Sequence, residues 1–294
     1  IELKSNVNLH LDFGTLLLGS TRLSDYDNAF PFKDGSMNQS SGLLFARGQK
    51  NISITGFGTI DGQGGNKTFQ FGNDADGGPK RPKIIYFVEC KGIVVTDVTL
   101  RNSAYWVQHY EKCEDVTIRG LKVFSHCNYN NDGLDIDAKN ATISDCYIDV
   151  EDDAICFKSD HPEFCENITV TNCVTASNCN AIKFGTASHG GYRNIAVSNC
   201  VVRRAAEDNI RHWSKQLEHI SADVTVISGV AIEMVDGGII DGITVSNISM
   251  RDVQTPIFIR LGDRHRTYRK EGGVLKNINI SNIVATAESL IACS

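Results

Sequence analysis

Leucine is scarce in this chain relative to its β-branched neighbours. The 294 residues contain 16 Leu against 29 Ile and 22 Val, so residues that lose rotamer freedom in helices and fit pleated strands outnumber the usual helix-core former about three to one. That excludes an ordinary helical bundle and predicts a mainly β protein. Long apolar runs are missing too. Leu16 to Leu18, for example, is interrupted at once, far short of the roughly 18 residues a membrane span requires. A basic excess is also absent: 29 Lys and Arg against 35 Asp and Glu leave a net charge of −6, which argues against a general nucleic-acid binder. No charged segment followed by an apolar stretch opens the chain, as an export signal would. Ile1-Glu2-Leu3-Lys4 instead reads as strand material.

Ten cysteines are present, yet none stands in a Cys-x-x-Cys pair, so a zinc site of that type is not expected. Several follow Asn or Asp, as at Cys146, Cys173 and Cys200. A cysteine recurring with a repeat is expected to be a small buried core residue, free rather than bridged.

The repeat is the main positive signal. The pattern x-[Ile/Val]-x-[Ile/Val] recurs at Asn51-Ile54, Asp115-Ile118, Asn140-Ile143, Asn167-Val170, Asn194-Val197, Asp223-Val226, Gly242-Val245 and Asn277-Ile280. Its central steps are 25, 27 and 27 residues. Each unit holds two further short strands, such as Cys146-Ile148 and Ala154-Phe157. One such coil cannot bury its own Ile and Val, but stacked coils bury them in a continuous core. The period is too short for a propeller blade, and helical periodicity is lacking. The expected fold is therefore all-β, a parallel β-helix of about 25-residue coils, forming one domain over residues 1–294 with an N-terminal cap and first coil outside the sequence. Asn at the turns binds neighbouring backbone, so Asn51, Asn140 and Asn167 in Asn-x-Ser/Thr are read as strand edges before glycosylation sites. Irregular inserts are expected at about 20–48, 62–82, 185–192, 203–222 and 262–273, where a solenoid builds binding walls.

Carboxylates mark the chemistry. Asn130-Asn131-Asp132-Gly133 precedes Glu151-Asp152-Asp153 by one coil, and matching the apolar alternation sets Asp132 above Asp153 with Asp152 adjacent. Three crowded acids push their pKa values apart, so that one carboxyl stays protonated as an acid while another serves as base. Glycosidic cleavage needs this pairing. A ladder of ordinary turn acids and a calcium site are the alternatives.

At these residues the chain resembles glycoside hydrolase family 28, the polygalacturonases. Asn130-Asn131-Asp132-Gly133 is similar to their Asn-Thr-Asp-Gly motif, and Asp152-Asp153 to their Asp-Asp motif. Asn102 to His109 resembles an Asn-Ser-Pro-x-Trp-x-x-His stretch, and Asp153 to Ser159 an Asp-Ala-Ile-x-x-Lys-Ser stretch. The resemblance implies a right-handed parallel β-helix, a secreted or periplasmic location, and inverting hydrolysis of galacturonate linkages in a pectic poly- or oligosaccharide. It implies no cofactor and no metal, and calls for neither nucleic acid nor membrane insertion. Carried over by position, Asp152 is the general acid, and Asp132 and Asp153 activate water. Asn130, Trp106 and His109 join them as substrate-binding candidates.

Two departures from the family pattern favour exo action or a modified pectic linkage. The Gly-His-Gly of endo-enzymes should fall near Asn178, Cys179 and Asn180, where no histidine stands; Ser188-His189-Gly190 comes later, making His189 a candidate contact. The Arg-Ile-Lys motif is reduced to Arg211, with Trp213 in place of Lys. Lys183, in the expected column of Arg211, and Arg260, in that of Trp213, are predicted to complete a cationic wall that binds substrate carboxylate. Arg264, His265, Arg266, Arg269 and Lys270 form a basic loop, and Trp106 and Trp213 are expected to stack on sugar faces. A calcium-dependent lyase and a non-catalytic carbohydrate-binding β-helix are the rival functions.

Overall fold

A computed structural model describes residues 1–26, 41–69, 81–206, 226–264, 272–287 and 293. Every strand pairing in it is parallel, and each coil contributes three strands to three stacked faces. The first face runs from Gly42–Arg47 through Lys83–Val88, the start of Gln108–Arg119, the start of Leu134–Ser144, Ile155–Ser159 and Asn180–Ser188 to Val226–Met234. The second contains Lys50–Gly56 and Lys91–Thr96, and the third the short strands Thr59–Asp61, Thr99–Arg101, Lys122–Ser125, Tyr147–Val150 and Val174–Ser177.

Register explains the scarcity of Leu. On the second face Ile52, Ile93, Val116, Ala141, Ile168, Ile195 and Ile243 lie in one inward column, and Ile54, Val95, Ile118, Ile143, Val170, Val197 and Val245 in the next. β-branched side chains suit this like-on-like stacking, and each buried Ile or Val contributes about 1.5–3 kcal/mol. One apolar cluster runs from Leu3 to Val253.

Turn chemistry fixes the coil corners. Asn51, Asn140, Asn167 and Asn194 all sit at φ between 53° and 58°, the left-handed region that Asn tolerates better than most residues. Their amides form a ladder: Asn51 donates to Asn6 (3.0 Å), Asn140 to Asp115 (3.1 Å), Asn167 to Asn140 (3.1 Å) and Asn194 to Asn167 (2.8 Å). The amide a glycan would need is thus already donated to the coil below.

All ten cysteines are unbridged, and eight are buried. Three expectations change. The repeat column passes from Ile195 to Ile243; of the expected unit at 223–226, residues 223–225 lie outside the described residues, and Val226 opens a first-face strand paired with Asn180–Ser188. An apolar doublet alone cannot tell which face of a coil it joins. The insert at 185–192 is also largely strand, because Asn180–Ser188 and Gly191–Arg203 extend almost through it. Similarly, Gly42–Arg47, placed in the first insert, is a buried strand.

Candidate active site

The acids sit where the chain enters the first face from the third. Register there sets Leu134 beside Ile155 and Ile155 beside Ile182. Hydrogen bonds continue it backwards, from Gly133 N–H to Asp153 O (2.8 Å) and from Ala154 N–H to Asn180 O (2.9 Å). Asp132, Asp153 and Asn180 therefore stack in consecutive coils, with Val107 N–H donating to Asp132 O (2.7 Å) from the coil before. Gly133 is required by this closeness, since a Cβ there would lie 2.5 Å from Ile148 Cγ2 and 2.7 Å from Ala154 O.

The three acids are almost fully buried but differ in surroundings. Asp153 accepts from Asn180 Nδ2 (2.7 Å) and faces Lys183 Nζ at 3.0 Å. Burial alone would raise its pKa, but Lys183, Lys158 and the Asn180 amide outweigh it and hold the carboxyl below the usual range. Asp132 has the opposite balance. Burial, then Asp135 and Asp152, push it well up, and Lys158 at 3.4 Å offsets this only in part. Asp152 accepts from the Asp153 N–H (2.9 Å) and from Asn130 Nδ2 (3.1 Å). One carboxylate held ionised beside one held protonated is the division an acid-base pair needs.

Lysines are woven among the acids. Lys158 lies between Asp132 and Asp135 (3.1 Å), and Asp135 above all keeps its ammonium charged despite burial. Asp135 is raised by burial to about 6. Lys183 reaches Glu233 at 3.7 Å as well as Asp153. Lys83 stands 2.9 Å from His109 Nδ1, and burial lowers it to about 8. Burial, then Lys83 and Lys158, pushes His109 well below its usual range, so it is neutral.

Of the sequence candidates, Asp132, Asp152, Asp153, Asn130 and Lys183 come together. The others are placed differently. Trp106 is half-buried, with one face stacked on Tyr105 (5.2 Å between ring centres, 9° between planes) and the ammoniums of Lys83 and Lys158 each 4.5 Å from its ring centre. It thus serves the lysines in this arrangement more directly than a sugar. His109 lies buried at the edge of Trp106, stacked on Tyr86. His189 follows the far end of its strand: Lys183 pairs with Cys156 and Ser188 with Ser159, about four residue steps or roughly 13 Å along the face. Arg260 is exposed and lies beside Glu233 in the strand register, two positions along from the Lys183 column, which continues through Ala231 to Phe258; that is the two-residue step expected between Arg211 and Trp213. Arg211 and Trp213 lie outside the described residues, as do His265, Arg266, Arg269 and Lys270 of the basic loop. Arg264 is engaged by Asp236, with both hydrogen bonds at 2.6 Å.

Lys158, Asp135, Asn180 and Glu233 belong to the site although sequence reasoning does not select them. The signal for Asp135 and Lys158 is alternation, because Leu134, Ile136, Ile155 and Phe157 point inward and their neighbours must then point out. Further along the same face, Tyr86 OH donates to Glu111 (2.5 Å), whose other oxygen meets His161 (3.0 Å). Asp137 lies two residues beyond Asp135. Burial pushes Asp137 up to about 8, only partly opposed by His161.

Asp152, Asp153 and Cys179 bring ligand atoms within 4.8 Å of one another. A hard cation there would compete with the Lys183 ammonium for Asp153, and the Cys179 thiol, pushed well up by burial, is a poor partner for it. Among the described residues no helix is long and apolar enough to cross a membrane.

Residues 27–293 match the profile of the glycosyl hydrolases family 28. A probable polygalacturonase of Vitis vinifera is 30% identical over 175 residues, 55% of this chain and 35% of that protein. A probable exopolygalacturonase X of Neosartorya fischeri is 27% identical over 156 residues, 51% of this chain and 35% of that protein. The match thus spans only about a third of these relatives' length. Among solved structures, a Thermotoga maritima exopolygalacturonase superposes with a TM-score of 0.72 at 22% identity, covering 95% of this chain and 70% of that one. The polygalacturonase from Erwinia carotovora gives 0.70 at 18%, covering 100% and 85%. At such identities the likeness is one of fold, the right-handed parallel β-helix: the repeat predicts the parallel β-helix and the family resemblance implies its hand.

Proposed function

The chain belongs to glycosyl hydrolase family 28, and from this premise we propose that it hydrolyses galacturonate linkages in a pectic poly- or oligosaccharide by inverting acid-base catalysis. The observation that carries the reading is the Asp132, Asp152 and Asp153 cluster, in which Lys183 and Asn180 hold Asp153 ionised while burial and neighbouring acids hold Asp132 protonated. Asp153 takes a proton from the attacking water. Asp152 delivers one to the departing sugar oxygen, and Asp132, charge-coupled to Asp152, shares that proton in the resting site, so the acid step titrates as a pair. Inversion requires room for water between acid and base, so the anomeric configuration of the product bears directly on this reading.

Exo action is favoured. Cys179 and Asn180 stand where endo-enzymes of the family place histidine, and the Asn180 amide binds Asp153 instead. The pectic polymer would be met outside the cytoplasm, which makes a secreted or periplasmic location part of the proposal. A uronate bound here must share Lys183 with Asp153 and Glu233, so the cationic wall is narrower than three independent cations.

The test is product analysis on galacturonate oligosaccharides with wild type and Asp152→Asn. Stepwise loss of a terminal unit with an inverted anomeric centre, abolished in the variant, is expected. An unsaturated product absorbing in the ultraviolet and lost on chelation would make the protein a lyase. Equal background hydrolysis in both forms with binding retained would make it a binding module.

A further inference from the structure

Asn130 occupies a loop before its strand, at φ 53°, and a side-chain amide in such a place can point either end at Asp152. Donation by its NH2 helps an acid that must part with its proton, whereas presentation of its oxygen would repel the carboxylate. Something must choose between the two ends. Arg81 is placed to do so.

Its guanidinium is buried, with 6% of the residue exposed. It lies 3.9 Å from the ring centre of Tyr129 and 4.6 Å from that of Tyr105. Nη1 donates to Ala104 O (3.1 Å) and Tyr129 O (2.6 Å), and Nη2 to Asn130 Oδ1 (3.4 Å). Arginine carries donors only, so the end of the Asn130 amide that meets it must be the oxygen. The NH2 then falls on the other side, where it donates to Asp152 Oδ2 at 3.1 Å. The aromatic cage and the two carbonyls fix the guanidinium plane, and the 3.4 Å contact needs only to exclude the flipped amide.

We propose that Arg81 is a positioning residue for the acid step, holding the Asn130 amide in the orientation that donates to Asp152. The inference rests on Asp152 being the general acid. Among the described residues, the titratable groups near that acid include Asp132, Asp153 and Cys179, with Arg81 reaching it through Asn130. Losing the amide donor removes a hydrogen bond to the charged form, so Asp152 holds its proton more tightly.

The experiment compares wild type, Arg81→Lys, Asn130→Ala and the double variant on a galacturonate oligosaccharide. It reads kcat, KM, the alkaline limb of kcat/KM against pH, and Tm. Arg81→Lys and Asn130→Ala should each move the alkaline limb up by about one pH unit, equivalent to tenfold in acid dissociation, and lower kcat about tenfold with KM within twofold. The double variant should match Asn130→Ala alone. A limb that stays put in either single variant, or additive shifts in the double, would overturn the proposal; so would a change in Tm alone, which is what a merely structural pin produces. Should Arg81→Lys fail to fold, Asn130→Ala still reads the limb. If wild type and Asp152→Asn hydrolyse equally, the reading of Asp152 falls and the proposal with it. An inactive Asp152→Asn beside an unmoved limb sinks the proposal alone.

Discussion

Lys183 Nζ stands 3.0 Å from Asp153 and 3.7 Å from Glu233, one ammonium shared by two carboxylates at the edge of the acid cluster. Its first effect is to keep Asp153 ionised, because the attraction of Lys183 opposes burial more strongly than any other neighbour does. In Lys183→Met, Asp153 should regain protons at higher pH, and the acid limb of kcat/KM should rise by about 1–3 units. The sign for stability follows from the same group. A depressed folded pKa gives stability that is present above the unfolded value of 3.8 and lost as pH falls, so the variant should be less stable than wild type near neutrality and approach it in acid. pH-rate profiles and thermal melts between about pH 3 and 8 check both. An unmoved limb with KM for uronates raised tenfold would return Lys183 to simple substrate binding.

Asp137 has the reverse linkage. Burial raises it from 3.8 to about 8, and a raised folded pKa gives stability that is full below the unfolded value and lost as pH rises through the folded one. Wild-type Tm should fall between about pH 4 and 8 from this group. Asp137→Asn, a neutral mimic of the protonated acid, should flatten that slope and raise stability at pH 8 by a few kcal/mol, about 1.4 for each pH unit removed. A Tm slope identical in wild type and variant would show that Asp137 ionises freely.

The repeat makes the coils and the stacking of Asp132 on Asp153 legible, because apolar alternation carries register from coil to coil. Asn140 and Asn167 are legible as turns. Their ladder is not, since it depends on which coil lies below. Charge partnership is the least legible feature. Lys183 reads along the chain as a cation for substrate carboxylate, and only the stack puts Asp153 and Glu233 beside it. Lys158 stands within a family-like motif, yet nothing along the chain marks it as the counter-ion of Asp135. Asp223–Val226 shows the limit of pattern alone, because its apolar doublet fits any face of a coil.

The Asn ladder makes its own prediction. Asn167 combines φ 58° with amide bonds to the coils on both sides, at 3.1 Å and 2.8 Å. Asn167→Ala loses both bonds and puts a Cβ without the Asn preference at positive φ, which should cost about 1–3 kcal/mol in chemical denaturation. Asn167→Gly relieves the backbone conflict while still losing the bonds, so it should cost less than Ala. If Gly costs as much as Ala, the ladder and not the turn conformation carries the position.

Asp132 and Asp153 are stacked neighbours whose carboxyl pKa values are pushed in opposite directions, up for Asp132 and down for Asp153, and amide substitutions separate their roles. Asp132→Asn replaces a carboxyl already protonated in the folded state, so Tm at pH 7 should be unchanged or higher, while kcat falls about 10²- to 10⁴-fold because the exchangeable proton is gone. Asp153→Asn should also lower kcat by about 10²- to 10⁴-fold. Here Tm should drop, since Lys183 keeps only Glu233 at 3.7 Å and a buried cation that loses its partner is costly. Parallel melts and turnover measurements at about pH 5 and 7 decide it. If Asp132→Asn is as destabilised as Asp153→Asn, Asp132 is ionised in the resting enzyme and the shared proton must lie elsewhere in the cluster, with Asp135, raised to about 6, the next carboxyl to substitute.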